Sequence, residues 1–258
     1  VIVNNLCAYI RSPFILASHY DELSEDAPSL EGIYKDKKEE FYVDKAILDS
    51  EADVRLSIIK EIHDRIQGPD KNTPGAWSDL EYDFSGSTFF YPIDLTNSYY
   101  AKPINFSGST YHKAVVLGDS VYGGQTNLSG CTYLMGAYLS GNTYRGNVNL
   151  SRCCYRGDAD FSESTYEGSA VFEACDYQGY TYFNECLHRG FVSFSGSTYA
   201  NYTNFYESIY CGKANLGGCV YKKYPDFSSA AYFGDVTVAG ARFSEQAPSF
   251  AGCVFNPD

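Results

Sequence analysis

The chain repeats itself every 11 residues over more than half of its length. Counting in elevens from Phe84 reaches a large apolar residue at each of fifteen positions, the last being Val238. Five residues after each comes a second column, whose fifteen members are Phe or Tyr except for His188. Neither an α-helix nor a single long strand would place apolar residues at spacings that alternate between five and six. The period therefore predicts a solenoid of short, equivalent segments.

Two further columns keep the same register. With the exceptions of Tyr82 and Pro225, a small or β-branched residue lies two positions before each large apolar one, as at Ile104 and Ala159. Another small residue lies three positions after it, as at Ser109 and Cys131. Large and small inward residues that alternate in this way fill a narrow tube without clashes. The Asp, Asn, Ser and Gly residues between them suit tight corners.

The five-residue unit carries a family resemblance. The segments Thr126-Asn127-Leu128-Ser129-Gly130 and Ala159-Asp160-Phe161-Ser162-Glu163 share one pattern: small, Asn or Asp, Leu or Phe, Ser, and a variable residue. On these residues, the chain resembles the pentapeptide-repeat family over about 82–255. The alternating fives and sixes are similar to an 11-residue subgroup common in actinobacteria. The subgroup's short motif, Leu-Cys-Ala-Tyr with a following basic residue, also occurs from Leu6 to Arg11. Tyr in place of Phe in the second column departs from the family pattern.

The resemblance implies an all-β fold, a right-handed quadrilateral parallel β-helix in which two elevens form one coil. About eight coils at about 4.8 Å each make a rod of roughly 40 Å. An inserted residue at 246–248 shifts the last large positions to Phe250 and Phe255. We expect the β-helix over 82–258, and a helical N-terminal segment with an acidic loop over 1–81.

The N-terminal segment lacks the repeat. Residues 50–66 predict a helix with Ser50 and Asp53 in a capping arrangement and Gly68 as its stop. Residues 18–40 are polar and acidic, so they predict a loop. We expect the apolar face of the helix to close the open end of the solenoid; the alternative is a helix that binds a partner. The expected capping residues are Val54, Ile58, Ile62, Ile66 and Trp77.

At the other end, the sequence stops three residues after the last repeat, with no helix to cover it. An open β-helix end exposes apolar side chains and strand edges, which solenoids avoid. We therefore expect a homodimer formed through Phe250, Val254 and Phe255, and several family members also dimerise through the C-terminal coil. A missing C-terminal extension is the alternative.

The cysteines and histidines do not predict an enzyme, a metal site or a cofactor. Cys131, Cys153 and Cys175 occupy the small inward column and are 22 residues apart, so they should stack as buried, reduced thiols. Reduced thiols indicate a cytoplasmic compartment. Zinc would need four converging ligands, and neither CxxC nor a histidine pair occurs. His188 near Cys186 lacks the third group that a catalytic pair requires.

The twelve tyrosines of the second column have two interpretations. Their rings pack inside the solenoid with the hydroxyls bonded at the coil corners, or they face outward as an aromatic stripe for a ligand. Buried hydroxyls need partners, which a core of Phe does not supply. The sequence leaves both arrangements open.

Charge and hydropathy limit the function. The net charge of −13 argues against direct nucleic-acid binding, because phosphates require Lys and Arg. No apolar run approaches the roughly 20 residues of a membrane span. We expect a non-catalytic scaffold that binds an unidentified protein partner in the cytoplasm. Only a segment upstream of Val1 would attach it to the inner face of the cell membrane.

The alternative is a DNA mimic that binds and protects a type II topoisomerase, as quinolone-resistance pentapeptide proteins do. Residues 83–258 carry 15 acidic and 10 basic residues. Duplex DNA carries about one charge per 1.7 Å, so this net charge is far too small for the rod. A local acidic patch is expected from Asp158, Asp160, Glu163, Glu167 and Glu173.

Overall fold

A computed structural model describes residues 1–256, which form a helical segment followed by a β-solenoid. The helical segment contains α1 (Ile2–Arg11), a 3-10 helix (Ile15–His19), α2 (Tyr20–Leu23) and α3 (Lys38–Ile66). The solenoid begins at Tyr82 and has four parallel sheets as its sides. The solenoid predicted from the repeat is therefore confirmed, as are the four sides and about eight coils that the resemblance implied.

The described residues contain 31 strands of two residues each, numbered in chain order. The first side consists of β1 (Tyr82–Asp83), β5 (Ile104–Asn105), β9 (Thr126–Asn127), β13 (Val148–Asn149), β17 (Ala170–Val171), β21 (Val192–Ser193), β25 (Ala214–Asn215) and β29 (Val236–Thr237). The second side consists of β2 (Thr88–Phe89), β6 (Thr110–Tyr111), β10 (Thr132–Tyr133), β14 (Cys154–Tyr155), β18 (Asp176–Tyr177), β22 (Thr198–Tyr199), β26 (Val220–Tyr221) and β30 (Arg242–Phe243).

The third side consists of β3 (Ile93–Asp94), β7 (Val115–Val116), β11 (Ala137–Tyr138), β15 (Ala159–Asp160), β19 (Thr181–Tyr182), β23 (Thr203–Asn204) and β27 (Pro225–Asp226). The fourth side consists of β4 (Tyr99–Tyr100), β8 (Val121–Tyr122), β12 (Thr143–Tyr144), β16 (Thr165–Tyr166), β20 (Leu187–His188), β24 (Ile209–Tyr210), β28 (Ala231–Tyr232) and β31 (Val254–Phe255).

Consecutive coils stack in a fixed register of 22 residues. Tyr133 pairs with Tyr111 of the preceding coil and with Tyr155 of the following coil. Two-residue strands are too short to be stable alone, so each depends on the coils above and below it. The last strand is offset by one more residue, since Val254 pairs with Ala231. The inserted residue predicted from the sequence produces this offset.

Both columns of the 11-residue period point into the solenoid. The first column is at most 4% exposed from Phe84 to Phe227, and the second is at most 2% exposed from Phe89 to Tyr232. Rings of the second column stack across coils, with centroids 4.7 Å apart for Tyr133 and Tyr155. The tyrosine columns therefore belong to the core and form no outward stripe.

The stacked tyrosines leave most of their hydroxyls without partners. Tyr122 donates to the Leu117 carbonyl at 3.1 Å, and Asn142 donates to the Tyr144 hydroxyl at 3.1 Å. Burial raises the pKa of Tyr155 well above its usual value. Hydrogen bonds at the corners are thus formed at a minority of positions. Nine column hydroxyls are buried with no hydrogen bond to any described residue: Tyr100, Tyr111, Tyr133, Tyr155, Tyr166, Tyr177, Tyr199, Tyr221 and Tyr232.

The small inward column bridges neighbouring coils through its side chains. Ser197 Oγ donates to the Phe172 carbonyl at 2.8 Å and accepts the Cys175 N–H at 3.0 Å. Ser208, which lies just before the fourth side, likewise donates to the Phe183 carbonyl and accepts the Cys186 N–H. Most members of the column are therefore both small and able to form hydrogen bonds, whereas Ala230 is small only. Five cysteine thiols donate to carbonyls of the adjacent coil in the same way: Cys131, Cys153, Cys175, Cys186 and Cys219.

Helix α3 is longer than predicted. It begins at Lys38, so Ser50 lies within it and the predicted cap at Ser50 and Asp53 is wrong. Phe41 and Leu48 continue the buried face toward the N-terminus at a spacing of two helical turns. Charged residues around these two positions concealed that face in the sequence.

The segment 18–40 is more ordered than the predicted loop. The 3-10 helix and α2 extend through Leu23, and α3 already includes residues 38–40. Tyr34 is buried, with its ring 5.5 Å from that of Phe41 and its hydroxyl donating to Asp44 at 2.9 Å. These contacts attach the intervening turns to α3.

Tyr155→Phe and Tyr122→Phe test the assignment of unpaired hydroxyls. Removing the Tyr155 hydroxyl is expected to leave the free energy of unfolding unchanged or to raise it, because a buried polar group without a partner disappears. Removing the Tyr122 hydroxyl breaks its bond to Leu117 and is expected to cost about 1 kcal/mol. Denaturant unfolding of the two variants measures the difference. Equal losses in both would contradict the assignment.

Candidate interaction surfaces

The interior contains titratable groups that are held neutral. His188 lies between the rings of Tyr166 and Tyr210, at 4.6 and 5.0 Å, and neither ring nitrogen bonds to a described residue. Burial raises the pKa of the Cys186 thiol to about 12, and this thiol donates to the Phe161 carbonyl. Within residues 1–256, no three His, Cys, Asp or Glu side chains are placed to hold a metal ion.

The nine cysteines all lie among the described residues, and none forms a disulfide. In the stack, Cys153 donates its thiol to the Leu128 carbonyl at 3.1 Å, and Cys175 donates to the Leu150 carbonyl at 3.0 Å. Cys211 is exposed and Cys154 is half-buried, so the side chains of these two face outward.

The N-terminal helices cover the first coil. Ile62 and Ile66 are fully buried, and Ile58 and Trp77 pack against the same core cluster. Val54 was predicted on this face, but 45% of it is exposed, so that prediction is wrong. The neighbouring residue, Arg55, occupies the buried position instead.

Arg55 is a buried cation whose donors are satisfied. Its guanidinium donates to the Ile10 carbonyl at 2.7 Å, the Ser12 carbonyl at 2.9 Å and the Glu51 carboxylate at 2.7 Å. It also lies over the Phe90 ring, 5.8 Å from the centroid. A buried charge is tolerated only with such pairing. Arg55 lies seven residues after Leu48, as Leu48 does after Phe41. This spacing was the sequence feature that could have predicted its burial.

The motif from Leu6 to Arg11 forms the last part of α1 and fixes it to the solenoid. Cys7 and Ile10 are buried, and the Arg11 guanidinium pairs with the Asp83 carboxylate of β1. The motif residues of this chain therefore act in docking the helical segment.

The predicted dimer residues lie together at the C-terminal end of the solenoid. Phe250 is 40% exposed, Val254 45% and Phe255 55%. The Phe250 ring stacks on Phe227 and the Phe255 ring on Tyr232, each at 5.1 Å. The opposite faces of these two rings contribute to the exposed end.

The predicted acidic patch is divided among different sides. Asp158, Asp160 and Glu163 belong to the third side and its corners, whereas Glu167 follows β16 of the fourth side and Glu173 follows β17 of the first. Residues five apart lie on adjacent sides, and only residues 22 apart lie above one another. The prediction of one patch from all five residues is therefore wrong.

Acidic residues that are 22 positions apart, and so lie above one another, form a different acidic surface. The third side with its flanking corners comprises residues 92–97 and the equivalent residues of each later coil through 224–229. These positions include no lysine or arginine. Their eight acidic residues are Asp94, Asp119, Asp158, Asp160, Glu163, Glu185, Glu207 and Asp226.

Tyrosines share this side with the carboxylates. Tyr138 is 40% exposed and Tyr180 45%, and Tyr202 and Tyr224 stack at the same corner with centroids 6.3 Å apart. Tyr182 and Tyr206 are half-buried. We call residues 158–163, 180–185, 202–207 and 224–229 the tyrosine–carboxylate surface.

Comparison with known proteins found no similarity: no protein-family model, no curated protein and no solved structure matches the chain. Among residues 1–256, no helix is both long and apolar enough to cross a membrane.

The buried imidazole is expected to make stability depend on pH. Burial lowers the pKa of His188 to about 3, against about 6.5 in an unfolded chain. Between these values the unfolded chain binds a proton that the folded chain does not. Stability therefore falls as the pH falls through this window, by up to about 1.4 kcal/mol per pH unit.

His188→Tyr, which restores the residue type of the column, is expected to remove this contribution. Denaturant midpoints of both proteins at about pH 7 and pH 4.5 measure it. The same acid-induced loss in both proteins would show that His188 is not its source.

Proposed function

We propose that this chain is a pentapeptide-repeat protein that acts as a rigid, non-catalytic scaffold for binding other proteins. The observation that carries this proposal is the filled interior. From Phe84 to Tyr232, both large inward columns are almost completely buried. A solid rod supplies no interior cleft for a substrate, so its function lies on its outer surfaces.

The sides of the rod suit recognition by a protein partner. Outward side chains repeat in fixed columns, as for Tyr138, Asp160 and Tyr182, which are paired in register on the third side. A surface that is already ordered loses little conformational entropy on binding. The free thiols are consistent with a reducing compartment such as the cytoplasm.

The C-terminal end is proposed to bind a second copy of the chain. The ring stacks of Phe227 with Phe250 and of Tyr232 with Phe255 end on exposed faces. In a two-fold dimer, the second copy presents the same rings to the first. Both aromatic stacks then continue across the interface, and the apolar surface is covered.

DNA mimicry is less consistent with the charges. The third side carries eight carboxylates over seven strands. Seven coils span roughly 30 Å, and duplex DNA of that length carries roughly 18 charges. The side therefore has less than half the charge of the duplex. Exposed tyrosines also interrupt its acidic columns.

Light scattering across a dilution series tests the end-to-end contact. The wild-type chain is expected to show twice the mass of one chain, and the double variant Phe250→Asp, Phe255→Asp is expected to be monomeric. These carboxylates would face each other across the dimer axis in an apolar contact, where burying unpaired charge is costly.

The matched control is Phe191→Asp with Phe233→Asp, since both rings are exposed on the lateral surface. This variant is expected to remain dimeric, and circular dichroism verifies that both variants fold. A wild-type monomer at every concentration would refute the contact, as would a dimer that survives the terminal substitutions.

A further inference from the structure

The tyrosine–carboxylate surface has charges that the chain itself does not neutralise. Glu163, Glu185 and Glu207 are spaced by 22 residues and stack at one corner, and all three are exposed. None of them forms an ion pair with a described residue. The same spacing does give an ion pair elsewhere, since Lys223 binds Glu245 at 2.8 Å.

The backbone conformation at this corner does not favour glutamate. Glu163, Glu185 and Glu207 have positive φ angles of 57°, 58° and 54°. Such angles are unfavourable for residues with a Cβ and are freely adopted by glycine. At the corner between the first and second sides, the equivalent residue is glycine at most coils, as at Gly108 and Gly196. The glutamates thus occupy positions where their side chains add conformational strain.

The opposite edge of this surface is aromatic. Tyr180, Tyr202 and Tyr224 lie at the corner before the third side, one in each of three consecutive coils. The rings of Tyr202 and Tyr224 stack. No described lysine or arginine covers any of these rings. Arg156 and Lys222 lie at the start of this corner, toward the second side, without such a contact.

Elsewhere in the chain, an arginine does pack over an outward tyrosine ring. On the fourth side, the Arg145 guanidinium lies over the Tyr99 ring, 5.7 Å from its centroid, and donates to the Tyr99 hydroxyl at 2.9 Å. An outward tyrosine of this solenoid is therefore a suitable platform for arginine. The tyrosine–carboxylate surface offers three such platforms in a row and, at its other edge, three carboxylates without an ion pair. Of these, Glu207 accepts a hydrogen bond from the Tyr206 hydroxyl, and Glu185 accepts one from the Asn184 amide.

From these observations we propose that the tyrosine–carboxylate surface binds an extended segment of a partner protein rich in arginine or lysine. This inference rests on the proposed scaffold function and specifies the chemistry of its partner. The cations would lie over the tyrosine rings and pair with the glutamates. The acidic charge excludes nucleic acid as the occupant, because phosphates would be repelled.

The spacing of the solenoid also matches an extended chain. A segment in the polyproline II conformation rises about 3.1 Å per residue with three residues per turn. Every third side chain therefore faces the same way and advances about 9 Å, close to the height of two coils. A segment that runs along the rod with a basic residue at every third position would meet alternate coils in register.

The test uses a fluorescein-labelled peptide of four Arg-Ser-Gly repeats and fluorescence anisotropy at low and physiological salt. One variant combines Glu163→Gln, Glu185→Gln and Glu207→Gln, and a second combines Tyr180→Ser, Tyr202→Ser and Tyr224→Ser. We expect each to weaken peptide binding about tenfold. The glutamine variant is also expected to reduce the salt dependence, whereas the serine variant leaves the charge unchanged.

The matched control removes three carboxylates from the other sides and corners: Glu167→Gln, Asp176→Asn and Asp235→Asn. It is expected to change the affinity less than twofold. An equal loss in the control and in the glutamine variant would overturn the proposal in favour of unspecific attraction. Absence of binding by the wild-type chain would also overturn it, as would competition by cellohexaose, which indicates a carbohydrate site.

Light scattering on the same samples separates this inference from the proposed function. Dimers that fail to bind the peptide would overturn the docking surface alone. A monomeric chain that binds the peptide with the expected losses would overturn only the terminal contact.

Discussion

Hydrogen bonding between consecutive coils is the constraint on which the rest of the structure depends. Strands of two residues have no stability of their own, so each coil is held by the coils on either side. Because the register is 22 residues, as for Tyr133 and Tyr155, every side chain lies above one that occupies the equivalent position. Inward positions thus form core columns, and outward positions form columns along the four sides.

The inward columns have different physical roles. The aromatic column contributes ring stacking, which is favourable beyond the burial of its area. Its hydroxyls gain little, since that of Tyr155 has no partner. The small column supplies polar bridges instead: Ser197 joins a carbonyl and an N–H of the adjacent coil. Core stability therefore depends on the rings for packing and on the Ser and Cys column for satisfying backbone groups.

The sequence predicted the solenoid, its large apolar column and its small column because those depend on a strict period, but it left the direction of the tyrosine column open. Prediction from the sequence failed for features that depend on three-dimensional contacts as well as on the period. Arg55 replaced Val54 in the N-terminal cap because nearby carbonyls and the Phe90 ring stabilise the guanidinium. Proximity along the chain suggested a single acidic patch, whereas stacking brings Glu163, Glu185 and Glu207 together. The bridging role of Ser197 required the positions of backbone groups.

The most direct test of the bridging column is the stability of Ser197→Ala compared with Ser197→Cys. Alanine removes the donor to Phe172 and the acceptor for Cys175, and cysteine keeps a donor that this column uses elsewhere. Denaturant unfolding should show a loss of about 1–3 kcal/mol for alanine and a much smaller loss for cysteine. Equal stability of alanine and wild type, or an equal loss in both variants, would contradict the account.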